Sequence, residues 1–292
     1  MTIALTGCSS EAREDRPRIV VTTNILGDVV RNLVQDEAEV AVLMKPNADP
    51  HSFELSAQEA EMLHDAQLVV SNGLGLEEGL QHNLEESIAV GVPQFIAGDV
   101  IDVLAYAGDG PGAGKADPHF WTDPARVIDV VDALGPVLID TVGLPEAEVA
   151  ANIASYRDEL VDLDAAMTDE FATIPAERRA LVTNHHVFGY LAERFDFRVV
   201  GAIIPGGTTL AAPSAADLRD LTSAIAAAGV RTIFAESSQP DRLAHVLASE
   251  AGLDIEVREL FTESLTEPGG GAETYLTMMR VNTDRITHGL TR

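Results

Sequence analysis

One helical pattern runs without interruption through the middle of the chain, from Pro145 to Phe171. Its apolar residues recur at helical spacing and form one stripe, and Pro175 ends the pattern soon after. A helix of this length between two strand-containing regions is typical of a connecting rod. The stripe consists of Val149, Ile153, Tyr156, Leu160, Leu163 and Met167.

Short β-branched strands alternate with helical patterns on both sides of this rod. Strands of nearly continuous apolar character indicate parallel sheets covered on both faces. The strands are expected at residues 18–23, 39–44, 68–71 and 94–96, and again at 180–184, 199–203, 232–235 and 255–257. We therefore predict an α/β fold of two lobes. Each lobe holds a mainly parallel four-stranded sheet flanked by helices, and one long rigid helix joins them.

The predicted organisation has a short tether and three structural parts. Residues 1–17 form the tether, 18–140 the N-terminal lobe, 141–174 the linking helix and 175–292 the C-terminal lobe. No run after the tether is long and apolar enough to span a bilayer.

The charge of the chain restricts its partners. The formal net charge is -28, from 47 acidic and 19 basic residues. Nucleic acid is excluded as a partner, because neutralising phosphates requires clustered Lys and Arg. An acidic chain suits the handling of cations, and it equally suits high solubility in salty or acidic surroundings.

The single cysteine, Cys8, lies in the sequence LTGCSS after a short apolar start. This segment resembles a bacterial lipobox, in which the cysteine becomes lipid-modified, although the positive segment and full apolar stretch of a signal peptide do not precede it. We expect an anchor on Cys8 that holds the protein at the outer face of the cell membrane, or a periplasmic location. The alternative is an ordinary free cysteine near a terminus.

The tripeptide Asp-Pro-His occurs twice, at residues 49–51 and 117–119. Proline fixes its own φ and holds the preceding aspartate extended, so each histidine leaves the backbone in a defined direction. An Asp-Pro pair is also a common turn, and one copy alone would indicate no more than that. Two copies with similar flanks favour a metal site.

Further candidate ligands come after predicted strands, where ligands bind in open α/β sheets. His51, His185 and Glu236 follow strands, and His119 lies in a loop between the lobes. Imidazole and carboxylate together suit zinc, manganese or a similar divalent ion, and the lack of clustered thiolates argues against copper(I) and iron–sulfur chemistry. The sequence shows neither a nucleophile elbow nor a zinc-protease helix, so we do not expect an enzyme.

Together these motifs resemble the solute-binding proteins of bacterial zinc and manganese ABC transporters, from Ile19 to Leu290. The matching segments are PNADPHSFE at 46–54, DPHFWTDP at 117–124, TNHHVFGYL at 183–191, FAE at 234–236 and TYLTMM at 274–279 with Asn282.

The resemblance implies that His51, His119 and His185 bind the metal, with Glu273 as the fourth ligand. It places Glu236 beside the ligands, and His186 stands where the family usually has aspartate, which would alter the hydrogen bonds around His185. Three histidines and one carboxylate favour zinc, with manganese as the alternative. The resemblance also implies a monomer that delivers metal to a membrane permease.

Three other functions remain open from the sequence. A metal-chelate or tetrapyrrole binder on the same scaffold would need a wide cleft lined by aromatic or Arg residues. A metal hydrolase would need an open coordination position, and a role in cell adhesion could accompany metal binding.

Overall fold

The computed structural model describes residues 16–106, 112–250 and 255–291. Cys8 and the predicted tether up to residue 15 lie outside the described residues. The helices are α1 Asn24–Val34, α2 Ala57–His64, α3 Gln81–Ala89, α4 Pro124–Asp140, α5 Glu146–Phe171, α6 Gly189–Phe195, α7 Ala215–Ala228, α8 Arg242–Glu250 and α9 Tyr275–Thr291. The strands are β1 Arg18–Val21, β2 Glu39–Val42, β3 Leu68–Ser71, β4 Gln94–Ile96, β5 Ala180–Thr183, β6 Arg198–Ala202, β7 Thr232–Glu236 and β8 Glu256–Leu260.

The strands form two four-stranded sheets with the same topology. Their orders are β2-β1-β3-β4 and β6-β5-β7-β8, and every pair within them is parallel. Each crossover therefore runs over a face of its sheet, usually through a helix. Because all strands of one sheet point the same way, their carboxyl ends meet at one edge.

Successive residues of the central strands belong to different apolar clusters, as expected for side chains that alternate between the faces of a sheet. Ile19 and Val21 of β1 lie in a large shared core, whereas Val20 lies in a cluster confined to the N-terminal lobe. In β7, Phe234 joins the same shared core, and Ile233 lies in a cluster of the C-terminal lobe. One face of each sheet thus covers a core common to both lobes.

Helix α5 lies at the centre of that common core. Tyr156, Leu160, Leu163 and Met167 of its apolar stripe are buried there, and the helix packs against α1 and α4 of the first lobe and against α9. The predicted two-lobed α/β fold with a long linking helix is confirmed. A helix packed on both lobes along one continuous core resists large rotations between them.

Polar side chains cap the starts of several helices. Ser56 with Glu59 and Ser214 with Asp217 form capping boxes, and Asp123 caps α4 ahead of Pro124. The clearest difference is β8, which continues to Leu260 instead of ending at Val257. Arg258 and Glu259 hide this extension in the sequence, because a partly exposed strand carries polar residues. None of the described helices combines the length and apolar character that a membrane span needs.

Candidate metal centre

Four buried side chains converge between the lobes: His51, His119, His185 and Glu263. Glu263 Oε1 lies 3.0 Å from Nε2 of His51 and 3.2 Å from Nε2 of both His119 and His185. The Nε2 atom of His119 lies 3.4 Å from that of His51 and 3.2 Å from that of His185. All four ligand atoms therefore face one point.

The size of this cluster matches a four-coordinate metal ion. A tetrahedron with bonds of about 2.0–2.1 Å, as zinc forms to histidine and carboxylate, has edges of about 3.3–3.4 Å. The five separations above fall between 3.0 and 3.4 Å. Three imidazoles and one carboxylate oxygen are thus placed to surround a small divalent ion.

Both Asp-Pro-His copies build the same backbone turn. Asp49 Oδ1 accepts a hydrogen bond from the backbone N–H of His51 at 2.9 Å, and Asp117 Oδ1 accepts one from that of His119 at 3.0 Å. This is the usual aspartate turn, in which the side chain binds the amide two residues later. The turn and the proline between its ends together fix the direction in which each imidazole leaves the chain.

Carboxylates hold the outer nitrogens of two of the imidazoles. His119 Nδ1 lies 2.8 Å from Asp117 Oδ1, and His185 Nδ1 is hydrogen bonded to Glu236 Oε1. Carboxylates only accept hydrogen bonds, so each Nδ1 carries its proton and each Nε2 is left to bind a cation. This arrangement is the usual support of histidines that bind metal.

His51 is held differently. Its Nδ1 is buried without a hydrogen-bond partner among the described residues, and the carboxylate of Glu78 lies 3.8 Å away, beyond hydrogen-bonding distance. The backbone turn at Asp49 therefore does most to orient His51.

Long-range hydrogen bonds place Glu263 in the site. The residues around it, 261–265, leave the end of β8 and are buried. Trp121 Nε1 donates to the carbonyl of Thr262 at 2.8 Å, and the side-chain oxygen of Asn24 accepts from the amide of Leu265 at 2.8 Å. Asn282 of α9 pairs with both the N–H and the C=O of Phe261. Side chains of the first lobe and of α9 thus hold a segment of the second lobe against the histidines.

The charges of the site favour a cation at its centre. Burial opposes protonation of His185 and His119, but the neighbouring carboxylates outweigh it and raise the pKa of both imidazoles, that of His185 well above its usual value. Burial would raise the pKa of Glu263, yet the histidines hold it well below its ordinary value. In the metal-free protein, the carboxylates therefore favour protonation of His119 and His185, and a metal ion would take the place of these protons.

The structure brings the predicted histidines together but not Glu273. The Glu273 carboxylate instead accepts hydrogen bonds from the amides of Gly269 and Gly271 at 2.8 and 3.2 Å, in the exposed turn before α9. Glu263 therefore replaces Glu273 as the candidate fourth ligand. Glycines at 269–271 turn the chain away from the site, which puts the acidic residue nearest to α9 at the surface.

The two residues expected beside the ligands have different surroundings. Glu236 ends β7 and supports the ring of His185. His186 lies half-buried against Tyr106, with ring centroids 6.3 Å apart, and lines a cavity of about 410 Å³ next to the site. Burial, together with the charge of His185, lowers the pKa of His186, so this ring stays neutral near neutral pH.

Glu263 itself is the residue that the sequence interpretation missed. Glu263 could have been found by the rule that identified His185 and Glu236, in which a polar residue follows the carboxyl end of a parallel strand. The sequence prediction ended this strand at Val257, which put Glu263 well beyond the strand, so Glu263 was not recognised as a candidate ligand. With β8 ending at Leu260, Glu263 follows the strand by three positions.

Comparison with known proteins identifies the family of this chain. The family model of the zinc-uptake complex component A, a periplasmic protein known as ZnuA, matches residues 19–289. The chain belongs to this family. Members are substrate-binding components of transport systems, which explains a closed ligand cluster between two lobes.

Individual relatives carry the names of different metals. The zinc-binding protein TroA of Treponema pallidum is 30% identical over 294 residues, which cover 98% of this chain and 92% of TroA. The manganese-binding lipoprotein MntA of Halalkalibacterium halodurans is 28% identical, over 100% of this chain and 97% of MntA.

Solved structures show the same fold. TroA superposes with a TM-score of 0.87 at 28% identity, covering 95% of this chain and 100% of TroA. The manganese-bound periplasmic metal-binding protein of Candidatus Liberibacter asiaticus gives a TM-score of 0.83, covering 94% of this chain and 100% of that one, and its 23% identity supports the shared fold alone.

Proposed function

We propose that this protein captures a divalent transition metal ion, with zinc as its main substrate, and delivers it to the membrane permease of an ABC importer. The observation that carries the proposal is the convergence of three Nε2 atoms and Glu263 Oε1 on one buried point. Imidazoles and a carboxylate are usual ligands of such an ion, and carboxylates hold the outer nitrogens of two of the imidazoles, those of His119 and His185.

Zinc is the better fit to this set of ligands. Four protein atoms spaced for a tetrahedron suit zinc, which is most often four-coordinate when the protein supplies every ligand. Manganese is the second candidate, because relatives such as MntA are named for manganese. Affinity order by itself favours zinc at most sites built from nitrogen and oxygen.

Capture and handover also explain the burial of the ligands. All four residues are at most 1% exposed, so a bound ion would be shielded from water and from competing ligands. Release would then require the lobes or the loops between them to move, as in other proteins whose two lobes close on a ligand. No chemical step on the metal is needed for this role.

The proposed location follows from the relatives and from Cys8. The relative MntA is named a lipoprotein and the family is described as periplasmic. We propose that this protein works outside the cytoplasm, held to the membrane through a lipid on Cys8, as a monomer that meets its permease there.

Titration of the metal-stripped protein with zinc and with manganese tests the proposal. We expect one ion to bind per chain, zinc more tightly than manganese, and we expect metal analysis of the purified protein to find zinc. Tighter binding of manganese would reverse the choice of substrate. Failure of both ions to bind would overturn the proposed function.

A further inference from the structure

The carboxylate of Asp49 joins the two lobes at the mouth of the site. Its Oδ1 holds the backbone of His51, as described above. Its Oδ2 accepts hydrogen bonds from Thr209 Oγ1 at 2.6 Å and from Gln239 Nε2 at 2.9 Å, both in the second lobe. Ser52 Oγ adds a third, at 2.9 Å. One side chain therefore links the turn that carries a ligand to two donors across the cleft.

The loop that carries Thr209 also contacts the support of the second histidine. Tyr106 Oη lies 3.1 Å from His119 Nδ1, and it donates a hydrogen bond of 3.5 Å to the carbonyl of Gly207. A side chain at Gly207 would overlap the hydroxyl and ring of Tyr106. Residues 206–209 therefore touch a partner of each histidine that the first lobe supplies.

Another attachment between the lobes near the site is of a different kind. Residues 261–265 are buried and bind the first lobe through Trp121 and Asn24, deep in the protein. Thr209, Gln239 and Asp49 are only partly buried, and Gly206 borders the cavity that reaches Asp117. Hydrogen bonds at partly exposed positions open more easily than buried ones, because water can replace them.

We infer that Thr209 and Gln239 form a clasp on Asp49 that holds the metal in the site. Thr209 and Gln239 act as positioning residues: through Asp49 they fix the turn of His51, and opening of the clasp frees that ligand. The inference rests on the proposed function and adds to it the contact that governs metal release. The clasp slows dissociation of the ion and has little effect on its entry, because it forms only once the lobes are together.

Stopped-flow release of zinc from the loaded protein into excess EDTA tests the clasp. A hydrogen bond to a charged group is stronger than one between neutral groups, so we expect Thr209→Val to speed release on the order of tenfold. Gln239→Ala should speed it by a smaller factor. Association rates should stay within about twofold of those of the unchanged protein, because most differences in affinity appear in dissociation.

Two matched variants separate this role from general loss of structure. Thr209→Ser keeps the hydroxyl and should release zinc at nearly the original rate. Thr208→Val makes the same change one residue earlier, where the hydroxyl accepts a bond from the amide of Leu210 within its own loop, and should also leave release unchanged. Gly207→Ala, which pushes the loop off Tyr106, should speed release as Thr209→Val does.

The outcomes distinguish the clasp from the proposed function. If the unchanged protein binds neither zinc nor manganese, the proposed function fails. If it binds zinc but Thr209→Val releases the ion no faster than Thr208→Val, or if Thr209→Ser is as fast as Thr209→Val, the clasp is overturned and metal binding stands.

Discussion

The two Asp-Pro-His tripeptides share a backbone turn, but their aspartates make different contacts. Asp117 turns its Oδ1 to the ring of its own histidine, 2.8 Å from Nδ1. The carboxylate of Asp49 makes no described hydrogen bond to the ring of His51. Its Oδ2 instead accepts hydrogen bonds from Thr209 and Gln239 of the other lobe. The two aspartate carboxylates thus differ: that of Asp117 binds a ring of its own lobe, and that of Asp49 binds side chains of the other lobe.

This difference suggests how capture and release can be combined in one site. The carboxylate of Asp117 holds the ring of His119 within the first lobe, while Tyr190 of the second lobe donates to the backbone carbonyl of Asp117. His51 is fully oriented only while the second lobe binds Asp49. A site in which one ligand loosens before the others can hold its ion firmly and still release it.

The largest effect is expected from loss of the ligand in the second tripeptide, residues 117–119. His119→Ala should weaken zinc binding by more than the roughly 10–100-fold typical of losing an outer partner, because a coordinating atom is removed. Calorimetric titration measures the change. His245→Ala is the control, since His245 lies exposed on α8 beside Asp241, and equal losses in the two variants would contradict the site.

The next largest effect is expected at Glu263, whose carboxylate faces both His51 and His119. Glu263→Gln should weaken zinc binding strongly, because Glu263 Oε1 lies 3.0 Å from His51 and 3.2 Å from His119. Glu273→Gln should leave affinity unchanged, because that carboxylate binds backbone amides at the surface. The opposite result would restore Glu273 as the fourth ligand.

Zinc affinity should fall as the pH falls. The pKa of His119 and of His185 is raised in the metal-free protein, and both Nε2 atoms must lose their protons to bind the ion. The fall should therefore begin above the ordinary histidine pKa of about 6.5 and approach about tenfold per pH unit for each proton displaced. Titrations between pH 8.5 and 6 in buffers of different ionisation enthalpy measure affinity and proton release together. A flat profile with no proton release would rule out this mechanism.

The raised pKa values of His119 and His185 affect the stability of the metal-free protein in the opposite direction, since they favour the folded state at low pH. A pKa raised by folding stabilises the folded state below the unfolded value of about 6.5, and this stabilisation is lost as the pH rises through the folded pKa. Thermal unfolding of the metal-free protein should therefore show this contribution fading above neutral pH while zinc affinity increases.

The smallest effect compares the two aspartates directly. Asp117→Asn should lower zinc affinity by about tenfold, since it removes the negative charge that holds His119 Nδ1–H. Asp49→Asn should change affinity less and act through faster release, since His51 keeps an oxygen for its backbone turn. Equal affinities and release rates in both variants would remove the distinction between the copies.

Much of the fold could be predicted because its signals are local. Apolar strands such as Leu68–Ser71 and capping boxes such as that of Ser56 involve residues close together in the chain. Helix α3 was not predicted, because its sequence carries few apolar residues and its surroundings decide its conformation. Polar residues also kept the sequence from predicting that β8 continues to Leu260.

The two lobes, the linking helix and the turns that aim His51 and His119 can be read from the sequence alone, because these depend on proline, aspartate and apolar spacing within a few residues. The candidate fourth ligand and the different contacts of the two aspartates became visible in the tertiary structure. Glu263 and His51 are 212 positions apart in the sequence, and Thr209 and Asp49 are 160 positions apart. Contacts over such distances follow from how the lobes pack on α5, and no local pattern at either residue records them.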